Sequence, residues 1–165
     1  MMIAIKNFLP ASTFERLLEF LKLEAKWSFT GRSRDSDSES FWFADLSNSF
    51  IPAEIEVALK RHEIIASKVH AVYANGQSRG QSGAFHVDSK DANVKTCLIY
   101  CNNEWKEEWG GVTLFDAPTP GSHDGIFITP EPNKAVIFEG RQRHMGSSPD
   151  ADYAGLRVTI AFKFS

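Results

Sequence analysis

The segment from Leu156 to Phe164 constrains the fold of this chain more than any other stretch. Side chains alternate along a strand, so Leu156, Val158, Ile160, Phe162 and Phe164 share one face and Arg157, Thr159, Ala161 and Lys163 the other. The apolar face must be covered, and amphipathic helices can cover it. The opposite face then points into a sandwich, carrying Arg157 and Thr159. Segment 96–101 repeats the pattern, with Thr96, Leu98 and Tyr100 on one face and Cys97, Ile99 and Cys101 on the other. A buried arginine needs an anionic or hydrogen-bonding partner. No acidic side chain is identifiable on the facing strand segments, so a bound carboxylate is a natural candidate. Solvent exposure of that face is the plainer alternative.

Two helices and a run of short strands surround this segment. Residues 2–8 suit a short strand. Ser12 opens a helix with a Ser12-x-x-Glu15 capping box, and Phe14, Leu17, Leu18 and Leu21 carry it to about Glu24. The stretch GRSRDSDSES at 31–40 reads as a solvated loop or as a mobile flap over a site. FWFADL at 41–46 reads as a strand. Pro52 starts a second helix that passes Ile55 and Leu59 and ends near Ala66. Strands are then expected near 69–74, 84–88, 95–101, 112–115, 125–128, 134–138, 143–147 and 156–164, with turns at Asn75-Gly76, Gly110-Gly111, 118–125, 130–133 and Ser148-Pro149. The expected class is α+β, with helices laid over a β-sandwich or barrel.

A chain of 165 residues suits one domain, expected over 1–165 with a helical part at 1–68 and a β core at 69–165. Its 13 phenylalanines suggest large aromatic packing or an aromatic-lined cavity. A net charge of −3 argues against a nucleic-acid partner, and no run approaches the ~20 apolar residues of a membrane span. Lys6 and Pro10 break the apolar N-terminus, so a signal peptide is not expected and the cytoplasm is the default compartment. Cys97 and Cys101 stand four apart on one strand face, about 13 Å at 3.3 Å per residue. That is too far for a disulfide, so free thiols in a reducing compartment are expected.

Five histidines are candidates for chemistry. His62 falls on the second helix and reads as a surface residue. His70 has no acidic or cysteine partner at ligand spacing, and His123 sits in a Gly/Pro-rich loop that reads as exposed. His86-Val87-Asp88 differs, because on a strand the imidazole and the carboxylate project from one face and can grip one metal ion. The pair is a short motif with a high chance frequency. His144 follows 58 residues downstream and Arg157 13 residues after that, and this order is far more specific. Two histidines and one carboxylate with open coordination positions point to non-haem Fe(II) oxygenase chemistry.

These segments resemble the Fe(II)/2-oxoglutarate-dependent dioxygenases in their prolyl hydroxylase-like branch. VYANG, FHVD, TCLIYCN and W…GGVTLFD carry the likeness over Val72–Phe115, and KAVIFEGRQRHMGSSP with GLRVTIAFKF carries it over 134–164. The resemblance implies a double-stranded β-helix (jelly roll), with the N-terminal helices packed on one sheet. It implies metal ligands at His86, Asp88 and His144, Arg157 on the distal carboxylate of 2-oxoglutarate, and a second hydrogen bond there from Tyr100. Tyr73 would line the pocket, with Thr159 or Thr96 assisting. Arg157 stands where collagen-type prolyl 4-hydroxylases carry a lysine. The likeness is therefore closer to the oxygen-sensing prolyl hydroxylases and to small bacterial and phage-type members. The loop 75–85 is longer and richer in Gly and Ser than the family usually shows.

The implied reaction consumes 2-oxoglutarate and dioxygen, releases succinate and CO₂, and hydroxylates a C–H bond, with a prolyl residue in a peptide or protein as the expected target. The resemblance admits ascorbate as an auxiliary reductant. By the same resemblance, residues 31–40 would close over the iron when peptide binds, with Arg32 and Arg34 meeting it. Two readings from other classes compete: a non-catalytic jelly-roll module holding a sugar or metal, and a zinc hydrolase on a cupin-like barrel. The latter leaves Arg157 without a role. A phosphate cradle at 75–85 is disfavoured because the loop lacks a Gly-Lys-Ser/Thr ending.

Overall fold

The computed structural model describes residues 2–34, 39–117 and 125–165. Among the described residues two antiparallel sheets carry the fold. The strands of the larger sheet are β1 (Ile3–Ile5), β2 (Ser28–Gly31), β3 (Phe41–Asp45), β4 (Val69–Gln77), β5 (Lys95–Tyr100), β8 (Ala135–Glu139) and β10 (Arg157–Phe164), in spatial order β1-β8-β5-β10-β4-β3-β2. The smaller sheet has the order β7-β6-β9, from β6 (Thr113–Phe115), β7 (Ile126–Ile128) and β9 (His144–Gly146). Helices α1 (Ala11–Leu23) and α2 (Ile51–Arg61) precede the β-rich part.

The alternation along β10 decides the layering. Val158, Ile160, Phe162 and Phe164 join Cys97, Ile99 and Ile137 in a core with Phe14, Leu17 and Leu21 of α1 and Ile55, Ala58 and Leu59 of α2. The helices therefore cover the outer face of the large sheet. Phe162 and Phe164 are fully buried, and each contributes about 1.5–3 kcal/mol. The inner face builds a second core from Leu98, Tyr100, Phe115, Val136, Phe138 and Ala161. The polar residues of β10 lie on that same inner face, because Thr159 pairs with Tyr100 and Ala161 with Leu98.

Several local expectations need correction. Helix α1 starts at Ala11 with Pro10 at its N-cap and no side-chain cap, so the Ser12–Glu15 capping box does not form. Tertiary bonds set the entry instead: Asn133 accepts from Leu9 N–H at 2.9 Å and donates to Leu9 C=O at 2.8 Å. Helix α2 stops at Arg61, five residues early, with Glu63 at a φ of +60° just beyond it. Asn75-Gly76 is no turn but lies inside β4. A Cβ at Gly76 would come within 3.2 Å of Trp42 and 3.3 Å of Leu156, so close packing accounts for this glycine. Residues 84–88 form no regular strand; His86 and His144 make a single antiparallel bridge. Strand β2 was not expected, and it edges the large sheet through the N-terminal part of the chain, as β1 does at the other side. Gly110 and Gly111 do turn, at φ of +62° and +65°. The expected features at 118–124, His123 included, and the part of the 31–40 flap at 35–38 lie outside the described residues. Among the described residues no helix is long and apolar enough to cross a membrane.

Candidate active site

A cavity of about 380 Å³ opens between the sheets, within the range of small-molecule sites, roughly 300–1,000 Å³. Two segments bring His86, Asp88 and His144 to it: residues 86–88, and β9, which begins at His144. The bridge between His86 and His144 carries reciprocal backbone bonds of 2.9 Å, and Asp88 N–H is held by Gly140 C=O at 2.8 Å. The ligating atoms of the three side chains lie within 4.8 Å of one another. Each imidazole donates its Nδ1 proton to a backbone carbonyl, His86 to Ala84 and His144 to Gln142, both at 2.9 Å. That tautomer leaves both Nε2 lone pairs facing the Asp88 carboxylate, at 3.7 and 3.6 Å. Lone pairs do not converge on a carboxylate favourably unless a cation sits among them. The donor set fits Fe(II), which two histidines and one carboxylate bind with positions left open.

The carboxylate is held on both sides. Lys163 Nζ stands 2.8 Å from Asp88 Oδ1, and Thr96 donates to Oδ2 at 2.7 Å. Burial opposes the charge on Asp88, yet the Lys163 ammonium beside it helps hold its carboxyl well below the usual carboxylate range. Burial pushes His144 the opposite way from its Asp88 neighbour and wins, so its imidazole is held below the usual histidine range and stays neutral. Tyr73 lines the cavity beside this end, and burial and the Asp88 charge push its phenol up.

The other end of the cavity is cationic. Arg157 is 2% exposed and donates to Gly111 C=O, to Gln77 Oε1 at 2.8 Å and to Thr113 Oγ1 at 2.8 Å. All three acceptors are neutral, and no ion pair reaches Arg157 among the described residues. A buried guanidinium, always protonated, is left without a counter-charge. It suits the free carboxylate of a dicarboxylic acid whose other end meets the metal.

Tyr100 is buried beside Arg157 but does not line the cavity, and its hydroxyl donates to Thr113 Oγ1 at 2.7 Å. Thr113 thus accepts from Tyr100 and Arg157 together, which occupies both lone pairs and leaves its own proton to donate into the cavity it lines. Thr159 and Thr96 line the cavity. His62 is exposed and stacks on Phe8, and exposed His70 bonds Ser165 Oγ at 3.0 Å. Both lie outside the site. Cys97 and Cys101 are free and buried.

Sequence reasoning missed Gln77, Thr113 and the role of Lys163. For Gln77 and Lys163 the signal was period two: Gln77 follows Tyr73 and Asn75 along β4, and Lys163 follows Arg157 along β10. Asn75 also lines the cavity, and its buried amide oxygen has no partner.

Comparison with known proteins agrees with this geometry. No curated protein sequence matches the chain. A prolyl hydroxylase from Trichoplax adhaerens, in complex with a hypoxia inducible factor oxygen degradation domain peptide fragment, superposes at a TM-score of 0.73 and 16% identity, over 99% of this chain and 83% of the other. A Pseudomonas putida prolyl-4-hydroxylase superposes at 0.65 and 14%, over 99% and 91%. The non-haem α-ketoglutarate-dependent epimerase SnoN from nogalamycin biosynthesis superposes at 0.71 and 12%, over 99% and 77%. These likenesses show the fold, an α+β double-stranded β-helix with its helices on one sheet. The family model for the 2OG-Fe(II) oxygenase superfamily matches residues 69–164, more than half of the sequence, and the chain belongs to that superfamily.

Proposed function

We propose that this 2-oxoglutarate-dependent oxygenase hydroxylates a prolyl residue in a peptide or protein, as a single domain over 1–165. His86, Asp88 and His144 would hold Fe(II), which with dioxygen as the oxidant would supply the oxidative decarboxylation of 2-oxoglutarate to succinate and CO₂ and the hydroxylation of a substrate C–H bond. The observation that carries the reading is the cavity itself, with a converging His/Asp/His cluster at one end and an uncompensated Arg157 at the other. Arg157 binds the distal carboxylate of 2-oxoglutarate, and Thr113 donates a second hydrogen bond to it. Gln77 and Gly111 hold the guanidinium in place. Tyr100 acts by orienting the Thr113 hydroxyl. Thr159 lies on the floor between the two ends.

Phe41, Phe43 and Tyr73 line the same cavity, and aromatic faces suit a pyrrolidine ring. Arg32 and Ser33 also line it, and we assign them to contact with the peptide backbone. Two of the structural neighbours are prolyl hydroxylases, and one holds a peptide. The free, buried thiols suit a reducing cytoplasm.

The test is turnover against a panel of proline-containing peptides, with succinate and peptide mass followed together. The expected result is a gain of one oxygen on a proline-bearing peptide, dependent on iron and 2-oxoglutarate. Iron-dependent succinate release without oxygen gain on any peptide would reject the prolyl target but keep the oxygenase. The absence of both would favour a non-catalytic binding module.

A further inference from the structure

A cation stands against the carboxylate of the His86–Asp88–His144 cluster. Lys163 Nζ lies 2.8 Å from Asp88 Oδ1, with the side chains 18% and 3% exposed. Thr96 holds the other oxygen at 2.7 Å. The two donors differ in kind. Thr96 is neutral and orients the carboxylate. Lys163 brings a full positive charge to the only anionic side chain in the cluster. Lys163 balances the charge of the Asp88 carboxylate before any ion arrives; without it that charge is left unbalanced.

We propose that Lys163 is a charge-setting positioning residue that weakens the hold of His86, Asp88 and His144 on a divalent metal ion and so keeps the ion exchangeable. The inference rests on the reading of those three residues as the metal centre. An ion on Asp88 sits across a single carboxylate from the ammonium, in a partly buried site where like charges repel strongly. Orientation of Asp88 does not depend on Lys163 alone, because Thr96 and the backbone bond from Asp88 N–H to Gly140 C=O at 2.8 Å remain when it is removed. Repulsion therefore outweighs the orienting contribution. The register explains how the lysine gets there: Lys163 pairs with Thr96 across β10 and β5, so the strand that carries Arg157 to one end of the cavity carries Lys163 to the other.

The experiment is equilibrium binding of Mn(II), a redox-silent probe, to the metal-free protein without 2-oxoglutarate. The free Mn(II) resonance is read for the parent, Lys163→Met, Lys163→Gln, Lys163→Arg and Thr96→Val, with a melting curve for each. The neutral variants at 163 should bind Mn(II) at least about tenfold more tightly than the parent. Lys163→Arg keeps the charge and should stay within about threefold of the parent. Thr96→Val should bind about 10–100-fold more weakly, as loss of an outer partner of a ligand does. A folded Lys163→Met or Lys163→Gln protein with equal or weaker affinity would overturn the inference, and so would tighter binding by Thr96→Val. A parent that binds no Mn(II) would overturn the metal-centre reading itself, whereas a parent that binds and a neutral variant that gains nothing overturns only the role of Lys163.

Discussion

The two ends of the cavity solve opposite electrostatic problems with the same inner faces. At one end a carboxylate and two imidazole lone pairs converge, and the bound species must be a cation. At the other a buried guanidinium meets neutral acceptors alone, and the bound species must be an anion. Strand β10 contributes to both, through Lys163 and Arg157. Lys163 balances the carboxylate at the metal end, whereas Arg157 has no counter-charge at the other, and the difference between them predicts which ligand each mutation will affect.

Removing Asp88 should have the largest effect. Asp88→Ala deletes the one charged ligand, and metal affinity should fall by well over the roughly 100-fold upper range of changes outside the ligand set. Metal titration of the folded variant checks this. If His144→Ala binds metal as well as the parent does, the third ligand is misassigned. Arg157→Ala should spare the metal but weaken 2-oxoglutarate binding by about 2–5 kcal/mol, roughly 30- to several-thousand-fold, as truncation of one partner of a buried charged pair does. Calorimetric titration of the Mn(II)-loaded protein measures it. A loss of metal in Arg157→Ala as large as its loss of 2-oxoglutarate would break the division between the ends.

Gly111→Ala sharpens the comparison, because it should disturb the anion end alone. Its Cβ would fall 2.8 Å from Trp105 and 3.0 Å from the Arg157 side chain, at a φ of +65°. A stability loss of about 1–3 kcal/mol is expected, with weaker 2-oxoglutarate binding and unchanged metal affinity. Thermal melting beside both titrations reads the outcome. Tyr100→Phe should do less. Because its hydroxyl reaches Thr113 rather than the cavity, the loss should be that of one neutral hydrogen bond, about 0.5–1.5 kcal/mol, or roughly 2- to 13-fold in 2-oxoglutarate affinity. A loss as large as that of Arg157→Ala would mean direct contact. The smallest effect lies outside the cavity. Burial pushes the Cys97 and Cys101 thiols far up, so a thiol reagent at neutral pH should label them only as fast as the protein opens.

The sequence disclosed faces better than it disclosed depth. Alternation along 156–164 placed Arg157 and Thr159 on the inner face and the phenylalanines under the helices, as the two cores bear out. It placed Lys163 on the inner face as well, yet periodicity carries no information on what an inner residue touches. Only the pairing of β10 with β5 brings Lys163 opposite Thr96 and beside Asp88. Tyr100 shows the same limit: its face was legible, while the intervening Thr113 was not. His86 and Asp88 reach one site although 84–88 is not a regular strand, because a single bridge to His144 is enough to extend the backbone there. Local signals failed where long-range contacts overrode them. Asn75-Gly76 spells a turn, but the crowding of Trp42, Leu156 and Trp27 explains the glycine within a strand. Ser12 spells a cap, but Asn133, distant in sequence, fixes the entry to α1.

The central claim is that one cavity holds a metal at His86, Asp88 and His144 and a dicarboxylate between that metal and Arg157. Its most direct test is an anaerobic titration of 2-oxoglutarate into the parent with and without Mn(II), repeated on Arg157→Ala and Asp88→Ala. The account predicts that the parent binds tightly only with metal, and that each substitution removes tight binding while Arg157→Ala still retains the metal. Binding of 2-oxoglutarate that is equally tight without metal, and unchanged in both variants, would contradict it.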